Sequence, residues 1–171
     1  LAYVTRLIAA GVDMIDVDMG CYENWWLPHP PGPMPPGAFL RVAKCVRDHL
    51  QHHGIRGGNG AAVPVAAVGK LGYPDIAEQA LREGMCDAVL LARPLLADPD
   101  WPRKAFAGQI RAIIPCIGDH EGCLNEIVRG GHIQCSVNPS TGFEAKLSAA
   151  PKLATRRRKV AVVGAGPAGI T

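Results

Sequence analysis

The chain has 171 residues, 48% of them apolar and 19% charged, a composition that excludes disordered and fibrous classes and fits a globular protein. Eighteen basic residues against fifteen acidic leave a net charge of +3, too slight a bias to argue for nucleic acid or an anionic membrane, and no apolar run is long enough to span a bilayer. Six cysteines would suffice for three disulfides, but Cys45 and Cys86 sit in apolar periodic segments and the remaining spacing suits ligands better, which points to a reducing, cytoplasmic setting.

Leu1, Val4, Leu7 and Ile8 mark the apolar face of a helix with no start signal before it. Val12 to Val17 follows as an apolar strand, introduced by the helix-ending Gly11. Between Gly37 and Leu50 apolar residues recur at three- and four-residue intervals, which predicts a helix. Val63 to Val68 reads as a buried strand, Pro74 opens a helix running to Arg82, and Cys86 to Leu91 is a third strand. Strands alternating with helices of this length imply parallel pairing with right-handed crossovers, either in a barrel or in an open doubly wound sheet.

In both folds ligand-binding residues gather beyond the carboxyl ends of the strands. Those ends carry Gly20-Cys21-Tyr22-Glu23, Gly69-Lys70 and Ala92-Arg93. A glycine beside a cation in one loop and an arginine in the next offer what a phosphate needs, namely close backbone N–H donors and positive charge. The alternative is that Lys70 and Arg93 are exposed basic residues at helix starts. The loop from 21 to 37 holds Trp25, Trp26, His29 and six prolines between Pro28 and Pro36, and such a stiff segment is expected to wall one side of a pocket with its tryptophans.

Cys116, Cys123 and Cys135, with Asp119 and His120 between the first two, form a cluster whose spacing suits a metal centre. Arg156 to Lys159 has no interleaved aromatic residue and reads as a solvated flank of a linker at 151–158. Lys159 to Val163 then reads as an apolar strand running into Gly164-x-Gly166-x-x-Gly169, the opening of a dinucleotide-binding unit whose pyrophosphate would sit at a helix N-terminus. With the unit barely opened at Thr171, the expectation is a piece of a longer polypeptide.

Taken in order, Gly11-Val-Asp-Met-Ile-Asp, the Gly-Cys-Tyr22-Glu…His29-Pro-Pro loop, Val65-Ala-Ala-Val-Gly69-Lys70, Ala92-Arg93-Pro94 with Ala97-Asp98-Pro99, Cys116-Ile-Gly, Cys135-Ser-Val-Asn-Pro and the terminal glycine turn resemble the group of 2,4-dienoyl-CoA reductase, 2-enoate reductase and trimethylamine dehydrogenase within the Old Yellow Enzyme superfamily. The resemblance implies an α/β fold. Residues 1–112 would be the C-terminal portion of an FMN-binding (β/α)8 TIM barrel, 113–150 an iron–sulfur lobe, 151–158 a linker and 159–171 the start of a Rossmann-like FAD/NAD(P)-binding domain. It also implies an NAD(P)H-dependent ene-reductase for a small unsaturated substrate, in which electrons pass from nicotinamide to FAD, through a [4Fe-4S] cluster, to FMN and then to an activated C=C bond.

By the same resemblance Gly69, Lys70, Ala92 and Arg93 fall where FMN binds, Gly164, Gly166 and Gly169 where FAD binds, and Tyr22 where relatives place a polar side chain in the substrate pocket. A phenol there would donate a hydrogen bond or a proton to the substrate, or else only line the pocket. The cluster ligands implied are Cys116, Asp119, Cys123 and Cys135. Asp119 departs from the pattern, which has a thiolate at that position, and leaves an oxygen-ligated four-iron cluster, a three-iron cluster or no cluster as readings, with His120 as a substitute nitrogen ligand. Two rivals remain: a structural zinc site of Cys116, Cys123, His132 and Cys135 in a binding module, and an FMN-only relative without electron relay.

Overall fold

The computed structural model of the protein describes residues 1–147 and 156–170. Its framework is a parallel sheet of three strands in sequential order, β1 (Ile15–Val17), β2 (Val65–Ala67) and β3 (Ala88–Val89). Ile15 pairs with Val65 and Val17 with Ala67, while Ala66 pairs with Ala88 on the other side. The strands are shorter than their apolar runs because β1 and β3 each pair along one side only among the described residues. Backbone bonds from Ile15 N–H to the Pro64 carbonyl and from Leu90 N–H to the Ala67 carbonyl extend the ladder a step further.

β2 is central, and Val65, Ala66 and Ala67 are fully buried, as expected of a parallel strand covered on both faces. The helices α1 (Ala2–Ala9), α2 (Leu40–His52) and α3 (Pro74–Arg82) alternate with the strands. α2 buries Leu40, Ala43, Val46 and Leu50, four positions on one helical face, against Val63, Val65 and Ala67. It begins later than its periodicity suggests, after a turn that packs Phe39 beneath the loop following β2. Asp87, at the mouth of β3, accepts from Val65 N–H at 2.9 Å and from Arg47 of α2 at 3.0 Å, so one carboxylate locks the register of two strands to a helix.

Beyond the sheet come α4 (Arg93–Ala97), α5 (Trp101–Phe106) and α6 (Leu124–Val128). Asp98, 2% exposed, ends α4 and collects Lys104 at 2.6 Å and Ile114 N–H at 2.9 Å, fixing the course of the chain toward Cys116. Asn138 and Thr141 both donate to the Leu96 carbonyl, at 2.8 and 2.7 Å, and tie the cysteine-bearing segment back onto α4.

The strand expected at 159–163 does not form: Val160, Val162 and Val163 are 80%, 63% and 101% exposed, and only the turn and a short helix, α7 (Pro167–Ile170), are present. A parallel strand takes its hydrogen bonds from neighbours, and the described residues give this one none. Residues 148–150 of the expected lobe and 151–155 of the expected linker lie outside the described residues. Among those described, no helix is long and apolar enough to cross a membrane.

Candidate functional site

At the carboxyl ends of the three strands lies a cavity of about 230 Å³, open to solvent. Gly69, Lys70, Ala92 and Arg93, from two different loops, all line it. The turn after β2 needs glycine, since Gly69 has φ +107° and a Cβ there would come within 2.5 Å of the Phe39 ring. The next residue, Lys70, is itself left-handed at φ +51°, which turns its side chain toward the proline-rich loop. Its ammonium donates to the carbonyls of Gly32 at 2.5 Å, Pro31 at 3.3 Å and Met34. Burial and the nearby Arg93 charge lower the Lys70 pKa, with Cys116 opposing them.

The proline-rich loop does wall the cavity, but through Pro28, His29 and Pro30. The tryptophans expected there are turned outward, Trp25 at 39% and Trp26 at 59% exposure. Tyr22 is 86% exposed and outside the cavity lining; it stacks on Trp25 at 5.7 Å between centroids, and Trp25 meets His29 edge-on at 5.0 Å. An aromatic row thus leads from Tyr22 to the cavity rim. Burial and Arg93 depress the His29 pKa. Asp18, just past β1, also lines the cavity, and its position at a strand's carboxyl end was the signal that could have found it.

A second, much smaller cavity shares the wall of the first. Arg93, Cys116 and Gly118 face both. Around the smaller one the fold collects all the predicted cluster ligands, Cys116, Asp119, Cys123 and Cys135, together with His120 and Ser136. Burial raises the Cys116 thiol pKa; the Gly118 backbone N–H and Arg93 lower it, while charge on Cys123 and Cys135 raises it. Asp119 accepts from Ser136 Oγ at 2.5 Å, and Arg93 Nη1 meets His120 Nε2 at 2.5 Å. Neither Ser136 nor the Arg93–His120 pair was singled out from sequence as a contact.

Among the described residues no three His, Cys, Asp or Glu side chains converge closely enough for a single metal ion. His132, the fourth ligand of the zinc alternative, is turned away, with Nε2 against the Gly142 carbonyl and its ring edge-on to Phe143 at 5.2 Å. Three thiols and a carboxylate facing one cavity are a donor set that iron–sulfur chemistry uses, the carboxylate being the atypical member. The larger cavity, with a glycine turn and two cations, suits an anionic cofactor. Gly164 and Gly166 lie in an exposed turn and Gly169 sits half-buried in α7; among the described residues they enclose no dinucleotide site.

The fold is a parallel α/β segment with two adjoining cavities beyond the carboxyl ends of its strands. No family model matches the chain. It is 37% identical over 161 residues to a metal reductase of Desulforamulus reducens, covering 94% of this chain and 22% of that protein, and 31% identical over 164 residues to a cinnamate reductase of Clostridium sporogenes, covering 96% and 23%. The solved structure of a 2-naphthoyl-CoA reductase in complex with 2-naphthoyl-CoA superposes with a TM-score of 0.79 at 29% identity, covering 98% of this chain and 24% of that one. The chain is homologous to a segment of the Old Yellow Enzyme-like flavin oxidoreductases. It spans about a quarter of the length of these relatives, and its structural neighbours are TIM-barrel flavoenzymes, which favours the barrel over the doubly wound sheet.

Proposed function

We propose that this chain is the junction of a flavin- and iron–sulfur-dependent oxidoreductase that reduces an activated C=C bond at the expense of NAD(P)H. The observation that carries the reading is the shared wall: Arg93, Cys116 and Gly118 each face both cavities. FMN in the larger cavity would supply hydride transfer and the cluster in the smaller one single-electron delivery. The residues of this chain then have separable tasks. Gly69 and Ala92 bring backbone close to the cofactor; Lys70 and Arg93 provide positive charge for its phosphate and reduced ring. Cys116, Cys123, Cys135 and the oxygen of Asp119 hold the cluster, an atypical corner that Ser136 orients by its hydrogen bond.

Tyr22 would reach a substrate that extends past the aromatic row at the rim, where its phenol donates a hydrogen bond or a proton. The glycine turn at Gly164 would begin the FAD site once its strand has neighbours. Cinnamate and 2-naphthoyl-CoA, named for the relatives, point to a conjugated carboxylate or thioester as the substrate. Cysteines kept as thiolate ligands fit a reducing compartment such as the cytoplasm. The test is to prepare the protein anaerobically at full natural length, measure flavin, iron and sulfide, and assay NADH and NADPH oxidation against enoates, enoyl thioesters and amines. Flavin with sulfide and close to four irons per flavin pair, plus turnover of an enoate or thioester, is the expected result. Zinc without sulfide would reject the reading.

A further inference from the structure

Arg93 stands in the wall between the two cavities, and its environment is specific. The guanidinium offers five N–H donors and no acceptor, so the short contact of Nη1 with His120 Nε2 requires an unprotonated nitrogen there. His120 holds this position from an unusual backbone, φ +65°, in the left-handed region that few side-chain-bearing residues occupy, and its carbonyl accepts Asn125 N–H at 3.0 Å, anchoring it to the first turn of α6. Strain concentrated on one residue whose ring reaches back to the cofactor wall marks a constraint that the cysteine spacing alone does not impose.

The choice of partner matters for charge. A carboxylate facing Arg93 would fix it equally well and cancel its charge; a neutral imidazole fixes it and leaves the full positive charge for the larger cavity. No acidic side chain hydrogen-bonds Arg93 among the described residues. Its remaining donors stay free for an anion on the flavin side.

We infer that His120 is a positioning residue that holds the Arg93 guanidinium against the flavin cavity from the cluster side without neutralising it. This rests on the reading of the larger cavity as the FMN site.

The experiment uses the holoprotein at full natural length and three variants, His120→Ala, His120→Gln and His120→Glu. FMN dissociation constant, flavin midpoint potential, iron and sulfide are measured for each. Loss of one orienting hydrogen bond to a charged group predicts FMN binding weakened by about tenfold in His120→Ala, with a lowered flavin potential and unchanged iron. His120→Gln, which keeps a neutral acceptor, restores both values. His120→Glu keeps the anchor but lowers the potential below that of His120→Ala, because it cancels the charge. Wild-type affinity and potential in His120→Ala overturn the inference and leave the proposed function standing; so does loss of iron with flavin properties intact, which would make His120 a cluster ligand. A wild-type protein that retains no flavin overturns both.

Discussion

Replacing Gly118 by alanine tests whether the proline-rich loop and the cysteine loop must cross in contact. Gly118 has φ +68°, and a Cβ there would lie 2.8 Å from Gly32 N, 3.0 Å from Gly32 Cα and 3.3 Å from the Pro31 carbonyl carbon. All three are backbone atoms, so no side chain can swing aside. The left-handed conformation costs an alanine about 1 kcal/mol, and parting the loops also loses the 2.9 Å bond from Gly32 N–H to the Gly118 carbonyl, worth about 1 kcal/mol more. Gly130→Ala is the control: φ is +73° with nothing within 4 Å, so only the conformational cost of about 1 kcal/mol applies. Denaturant unfolding of the two variants should therefore differ by at least about 1 kcal/mol, and Gly118→Ala alone should lose iron, because Cys116 lies two residues away. Equal destabilisation with equal iron content would refute the view that the crossing holds the cavity wall together.

Asp119→Cys should complete four thiolates and give an iron content at or above wild type with a changed visible spectrum; iron analysis and absorption spectroscopy decide it, and a fall in iron would argue that the carboxylate is built into the site. Asp98→Ala removes the acceptor of Lys104 and of the Ile114 N–H and should destabilise the fold by about 3 kcal/mol in chemical denaturation. Burial alone would raise the Asp98 pKa, yet the hydrogen bonds from Lys104 and Ile114 hold it below its ordinary value of 3.8. Its contribution is therefore complete above that value and fades as pH falls through the lower folded pKa, visible in wild-type acid unfolding and absent from Asp98→Ala. Lys70→Met leaves the carbonyls of residues 31, 32 and 34 without their shared donor, so limited proteolysis should cut that loop faster and FMN retention should fall roughly tenfold.

Much of the frame was legible because it follows from short-range periodicity. The apolar face from Leu40 to Leu50 and the buried run at Val65 to Ala67 became α2 and β2, and Pro74 sits at the first position of α3. Spacing also sufficed for Cys116, Asp119, Cys123 and Cys135, which the fold gathers round one cavity. What escaped depends on loops approaching across the structure. Nothing local to Trp25 or Trp26 says that the flanking prolines and His29 would face the cavity in their place. Arg93 meeting His120, and Ser136 meeting Asp119, are contacts spanning 27 and 17 positions, set by how two loops turn and by no periodic pattern. The strand at 159–163 failed for the opposite reason, since its residues suit a strand whose stability lies wholly in partners.

The two hydrogen bonds that Asn138 and Thr141 make to the Leu96 carbonyl have a kinetic meaning. Leu96 is in the final turn of the same five-residue helix that begins with Arg93. The sulfur-rich segment and the guanidinium are thus tied to one short helix, so a displacement of that helix would act on both. For the proposed electron relay, such a shared mount would keep one tunnelling distance from cycle to cycle.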